Sequence, residues 1–222
     1  MNRKNIGLAL LTSVLLSACV IDARHADTVV GPERTIDIPV TPDTVVDLRI
    51  PAGDVRISGV SGNRLTAEIL VKCPDLESGC AKRLGSLQFV TDYEGDRLTL
   101  RTNRNSSMKY RSGQVITTVR IPEVSKVNVN MTAGELNIHD VQACLTVDMT
   151  AGDINLEMAE ELVASVMLDA GVGDASLRVG DYNRSAPRSW LIGAELSWDQ
   201  GGGYCHLDVD LQAGDIEVEL IN

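Results

Sequence analysis

The chain has 222 residues, 44% of them hydrophobic but only 3% aromatic, with a single phenylalanine at Phe89. Its 20 basic and 31 acidic residues give a formal charge of −11. That balance excludes a basic nucleic-acid-binding face and disfavours flat adsorption on anionic lipid.

At the amino terminus, "MNRKNIGLALLTSVLLSAC" places Arg3 and Lys4 before an apolar run that ends at Leu16-Ser17-Ala18-Cys19. A charged start, a short apolar stretch and small residues at the cut make a secretory leader. The run is too short and too early to be a comfortable spanning helix. "LSAC" resembles the bacterial lipobox. The resemblance implies cleavage before Cys19, a diacylated Cys19 and an acylated new amino terminus. Val20 in place of Asp resembles an outer-membrane sorting context. Two or three acyl chains anchor a protein stably where one holds it marginally. The expected organisation is a leader at 1–18, a lipidated tether at 19–34 and one domain at 35–222, attached to the cell outer membrane through lipid. Loss of Arg3 and Lys4 with the leader moves the formal charge from −11 to −13.

From Thr35 onward the pattern is β. The stretches "RLTAEILVKC", "LQFVTDYEGDRLTLRT" and "QVITTVRIP" read as longer, less regular strands, with a hairpin turn at Glu94-Gly95. "CPDLESGCAKRLGSL" holds at most one short turn of helix. Cys73 and Cys80 close an eight-residue loop containing Pro and Gly, and an oxidising envelope favours a disulfide between them. The polar stretch 102–114 reads as a hairpin tip carrying a local basic patch.

The second half repeats one phrase. Taking the Gly of each Ala-Gly as origin, copies sit at Gly53, Gly134, Gly152, Gly171 and Gly214. Apolar residues stand seven, five and three places before the origin, for example Leu145, Val147 and Met149, and two and four places after it, for example Ile154 and Leu156. Strict alternation marks a strand with one buried face, so each copy is strand, corner, strand. Parity puts the corner Ala, such as Ala151, on the inside. In the fourth copy the pattern slips by two, to Ala175 and Leu177. Origins lie 18, 19, 43 and 81 residues apart, close to multiples of one step near 20, with "WLIGAELSW" around Gly193 a degenerate intermediate copy. A constant step is the mark of a solenoid, in which each coil buries the next one's face. The expected fold is therefore all-β, a single-stranded right-handed β-solenoid with less regular amino-terminal strands. A β-sandwich or irregular roll is the competing fold.

On coils counted in chain order, Cys144 and Cys205 share nearly one column but lie two or three rungs apart, about 10–14 Å at about 4.8 Å per rung. That exceeds the reach of about 7 Å between Cα atoms. They are expected not to be joined.

Acidic residues follow the corners at Asp54, Glu135, Asp153, Asp174 and Asp215. Hard cations take carboxylate oxygens, so the column could be a calcium edge. Asp after Gly also suits a turn, and the calcium-binding nonapeptide GGxGxD is absent, so the turn reading is preferred and no metal ligands are assigned. Asn137 and Asn155 share the neighbouring outward column and suit an amide ladder. Nothing points to catalysis. There is no G-x-S-x-G, H-E-x-x-H or P-loop. His25, His139 and His206 fall in the tether or at outward positions, and "GGGYC" at 201–205 reads as a loop.

The segment "VRIPEVSKVNVNMTAGELNIHDVQACLTVDMTAGDINLEM", 119–158, resembles the core of the bacterial adhesin-like β-strand-repeat family, in which a "v.iP" strand precedes repeated G-[DE]-[IV] turns. The likeness runs over about 45–220. It implies a fold and no site. The functional expectation is a lipid-anchored, non-enzymatic cell-envelope protein presenting an interaction or spacer surface, without cofactor or nucleic acid. Its partners would be the membrane, through lipid, and an envelope protein or glycan. A polysaccharide-binding or polysaccharide-active β-helix and a calcium-dependent structural module are the alternatives.

Overall fold

A computed structural model of the chain describes residues 27–29, 34–74, 79–80, 84–103, 113–186 and 193–222. The leader 1–18, Cys19, His25 and most of the stretch read as a tether lie outside the described residues, as do residues 104–112 of the expected basic loop.

Three long strands carry the repeat: β3 (Val45–Gly59), β8 (Lys126–His139) and β9 (Cys144–Ala159). Each runs unbroken through its corner, because a glycine there adopts a backbone closed to other residues: φ is +131° at Gly53, +133° at Gly134 and +127° at Gly152. Side-chain parity reverses at that glycine. Leu145, Val147 and Met149 point inward before it, and Ile154, Leu156 and Met158 point inward after it, all buried. The bend therefore divides each coil between two walls that share one aliphatic core.

The first wall uses the leading halves of the long strands. Its order is β5 (Phe89–Glu94), β6 (Arg97–Thr102), β3, β8, β9, β14 (Cys205–Ala213), β10 (Val163–Ala170) and β13 (Ala194–Trp198). The second wall uses the trailing halves. It runs from β4 (Arg64–Pro74) through β7 (Gln114–Ile121), β3, β8, β9, β15 (Ile216–Ile221) and β11 (Ala175–Val179) to β12 (Tyr182–Ser185). Outside β4 lie β1 (Asp27–Val29), within the stretch read as a tether, and β2 (Arg34–Pro39). Neighbours in the middle of each wall are parallel; β5, β13, β4 and β12 are antiparallel to theirs. The parallel stack is thus closed at both ends by returning strands, a common protection against open edges.

This is the all-β, solenoid-like stack expected from the repeat, and the less regular amino-terminal strands form one end of it. The hairpin β5–β6 turns at Gly95–Asp96. Beside it, Ile69, Val71, Leu84, Leu87 and Val115 form a small second core around Cys73 and Cys80, which are joined by a disulfide.

Three expectations are corrected. The coils are not stacked in chain order: β14 lies between β9 and β10, and β15 between β9 and β11. Leaving β9, the chain skips a rung, builds β10 to β13 and then returns to fill the gap. Cys144 and Cys205 are consequently on adjacent strands with Cα atoms 4.9 Å apart, and they form a second disulfide. The two cysteines are thus one rung apart, not the two or three that chain-order stacking implies.

The second correction concerns the fourth corner. It is Gly173, with φ +140°, and not Gly171. Ala170 pairs with Leu211, three residues before Gly214, so the register counts from Gly173. Val172 then occupies the place of the corner Ala, and it is 58% exposed. Ala52, Ala133, Ala151 and Ala213 are themselves only half-buried, so the corner is no tight inner pocket. Third, the segment around Gly193 is not a coil, because its strand β13 runs antiparallel to β10.

What the corner does require is glycine. A Cβ on Gly134 would meet the Gly53 carbonyl oxygen at 1.9 Å, one on Gly152 the Gly134 oxygen at 1.8 Å, one on Gly214 the Gly152 oxygen at 1.7 Å and one on Gly173 the Gly214 oxygen at 1.7 Å. The backbones stack directly on one another along this column.

Candidate functional site

Alternation leaves every second residue of each wall facing outward, and the pairing register aligns these residues into rows. On the first wall, four positions before the corner, Arg101 of β6 pairs with Arg49 of β3, and Arg49 with Asn130 of β8. The row then turns acidic: Asn130 pairs with Asp148, Asp148 with Asp210, Asp210 with Asp169 and Asp169 with Glu195 of β13. All seven are exposed. At about 4.8 Å per strand the row spans about 29 Å, basic at one end and carboxylate-rich at the other. Among the described residues no element covers it.

The basic end is well built. Arg97 donates from Nη1 to both Asp47 oxygens, at 2.8 and 2.6 Å, and Asn128 donates from Nδ2 to Oδ1 at 2.7 Å. Asp47 is only 7% exposed. Burial alone would raise its pKa, but the hydrogen bonds from Asn128 and Arg97, with the charges of Arg97 and Arg49, outweigh it and hold the carboxyl below its usual range. A shallow depression bounded by Arg49, Arg97, Asn128 and Asn130 lies above this network. At the other end the sign is opposite. Asp210 is pushed above the ordinary carboxylate value by burial first, then by Asp169, Asp148 and Asp208.

The acidic corner column exists, in the order Asp54, Glu135, Asp153, Asp215, Asp174, and it is tied into the fold. Asp153 Oδ1 accepts the Asp215 backbone N–H at 3.4 Å, and Asp215 Oδ1 accepts the Asp174 N–H at 2.9 Å. Asp54 pairs with Arg56 at 3.0 Å, and Glu135 accepts from Asn137 at 3.0 Å. Asp153 and Asp215 thus latch one rung to the next, while Asp54 and Glu135 are held by a neighbour two residues on in their own strands. The amide ladder is also present, with Asn155 donating to Asn137 at 3.3 Å. Among the described residues no three His, Cys, Asp or Glu side chains are grouped as metal ligands.

His139 and His206 are exposed. His206 Nδ1 lies 2.7 Å from Ser165 Oγ, a contact across β14 and β10 invisible until the strand order is known. No carboxylate hydrogen bond to His206 is seen among the described residues, so the serine–histidine pair lacks the third member that orients a base. The loop "GGGYC" packs tightly: Gly201, Gly203 and Tyr204 donate backbone N–H groups to Ala164, Val163 and Leu162. A Cβ on Gly203 would lie 2.2 Å from the Leu162 carbonyl carbon. The glycines let the returning chain slide beneath β10.

Two walls of stacked strands bent about a glycine column, carrying surface rows and no enclosed reaction centre among the described residues, define a repeat-built β-protein whose chemistry is on its surface. Residues 40–219 match the Toastrack DUF4097 family, and the chain belongs to it. No curated protein matches the sequence. Three solved structures are similar. A putative cell adhesion protein from Clostridium sporogenes is 11% identical, with 86% of this chain and 100% of that one covered and a TM-score of 0.49. A putative adhesin from Bacteroides fragilis is 12% identical over 86% and 97%, at 0.31. A putative lipid binding protein from Parabacteroides distasonis is 13% identical over 86% and 97%, at 0.25. At these identities and scores the likenesses say nothing about ligands of this chain.

Proposed function

We propose that the chain is a lipid-anchored, non-enzymatic protein of the cell envelope, held at the outer membrane through Cys19, and that the outer face of its first wall is a protein-interaction surface. The carrying observation is the in-register row from Arg101 to Glu195, exposed along its length and sorted by sign. A solvated spacer needs no such sorting; a surface that sets the orientation of a partner does, because complementary fields fix register. The leader pattern and the lipobox-like "LSAC" support the anchor. The unoriented Ser165–His206 pair supports the non-enzymatic reading.

Site-specific photocrosslinking in cells tests the surface. A crosslinker replacing Asp148 on the first wall should capture a partner, and one replacing Asn155 on the second wall should not. Capture from both walls equally, or from neither, would remove the interaction reading in favour of a spacer. Cys19→Ser tests the anchor: the variant should leave the membrane fraction, and wild-type fractionation would refute attachment through Cys19.

A further inference from the structure

We propose that the outer face of the first wall docks against the same face of a second copy of this chain, the two stacks running in opposite directions. This rests on reading that face as an interaction surface and names the partner.

Whatever covers the row must present negative charge over Arg49 and Arg101 and positive charge three or four strands away, about 14–19 Å along the stack. The row itself has that pattern when reversed. A two-fold axis parallel to the strands, placed between β8 and β9, reverses the order of strands and keeps each residue's height along its strand. It sets β3 over β14 and β6 over β10 of the second copy. Arg49 then faces Asp210, and Arg101 faces Asp169, each contact occurring twice by symmetry. The other in-plane axis, along the stack, would set arginine over arginine and aspartate over aspartate. Charge alone therefore selects one axis.

Three further observations agree. The Arg49 and Arg101 side chains hold no carboxylate at ion-pair distance among the described residues, whereas Arg56, Arg64, Arg97 and Arg178 each do. The acidic half is repulsive within one molecule, since Asp210 feels Asp169, Asp148 and Asp208 together. In the next row the same axis sets Asp47 over Asp208, a like-charge contact, but Asp47 is already neutralised by Arg97. It also sets exposed Met167 over Thr99, an apolar contact at 47% exposure of the methionine. A free anion would satisfy only the arginines, and a free cation only the carboxylates. The second copy satisfies both.

The test is sedimentation equilibrium on the full chain carrying Cys19→Ser, which removes acyl-driven association, in EDTA. At about 50 mM salt a concentration-dependent dimer is expected, weakened about tenfold or more at about 0.5 M, where the screening length falls to a few ångströms. Arg49→Glu/Arg101→Glu and Asp169→Arg/Asp210→Arg should each be monomeric alone, because the first sets acid over acid and the second arginine over arginine at both contacts. Their equimolar mixture should dimerise again, which also demonstrates that both are folded. A monomeric wild type at all concentrations, association undiminished in the first variant, or a mixture that stays monomeric would each overturn the proposal. So would association that appears only when calcium or a polyanion replaces EDTA. If wild type is monomeric while the Asp148 crosslinker still captures another envelope protein, this inference fails and the interaction surface stands.

Discussion

Removing the Cys144–Cys205 bridge should destabilise the protein more than removing Cys73–Cys80. The two bonds span 61 and 7 residues of sequence. A cross-link stabilises chiefly by restricting the unfolded chain, and the loop-entropy relation gives about 4 kcal/mol for the longer loop and about 2 kcal/mol for the shorter. Paired Cys→Ala replacements avoid free thiols. Cys205, Cys73 and Cys80 are all buried, and the small cavity left by losing sulfur costs about 1 kcal/mol in either pair, so it cancels in the comparison. Urea unfolding of Cys144→Ala/Cys205→Ala and Cys73→Ala/Cys80→Ala should therefore show a difference of about 2 kcal/mol, with the steeper slope in the long-loop variant, whose unfolded chain is less restricted. Non-reducing peptide mapping of wild type supplies the companion result, a linked Cys144–Cys205 peptide. If the short-loop variant is the less stable one, or no such peptide exists, the placement of β14 beside β9 is wrong.

Gly152→Ala should cost about 2–5 kcal/mol, because it combines a left-handed φ with a Cβ placed 1.8 Å from the Gly134 oxygen, whereas Gly62→Ala, also at positive φ but in open space, should cost about 1–3 kcal/mol; thermal melts compare them. Ala151→Val should change stability by less than about 0.5 kcal/mol, since Val172 already sits exposed at the equivalent corner; a cost above about 2 kcal/mol would restore the tight-corner expectation. Asp47 has a lowered folded pKa, so its stabilisation is present above the unfolded value of 3.8 and lost as pH falls through the folded value. Asp47→Asn should thus cost about 1–2 kcal/mol near neutral pH, and its deficit should close only below 3.8. Asp210 is shifted the other way, so Asp210→Asn should stabilise the chain near neutral pH, and the gain should fade as pH falls through its raised folded value.

Much of this fold was legible because alternation and the corner glycine are local signals. Leu145, Val147 and Met149 announce one face, Ile154 and Leu156 the other, and Gly152 the bend between them. The strand order was not legible, because every coil offers its neighbours the same aliphatic ladder and the same register. Any coil could stack on any other. Two signals of the order are nevertheless present in the sequence. Cys144 and Cys205 mark adjacent rungs if the redox compartment is given more weight than the coil count. Val166, Leu168 and Ala170 stand seven, five and three residues before Gly173, which identifies that glycine as the fourth corner. The charged row was hidden for the same reason as the strand order. Asp169 and Asp210 are 41 residues apart in the chain and become neighbours only when β14 enters between β9 and β10. The corner carboxylates, by contrast, were found from spacing alone.

The late return of β14 and β15 has a consequence for biogenesis. In an ordinary repeat protein each new unit docks on the one made before it, so the array can grow from its amino terminus as it is synthesised or exported. Here the slot beside β9 must wait through residues 160–204 and is filled by a segment made some sixty residues after Cys144. Until then β10 and β11 are paired only with β13 and β12, and their edges toward the gap are open to capture by other chains. Maturation is therefore gated by delivery of residues 205–221. A ribosome-released or proteolysed fragment lacking them would lose the middle of the stack, not its end, and should be cleared rather than accumulate as a shorter functional form.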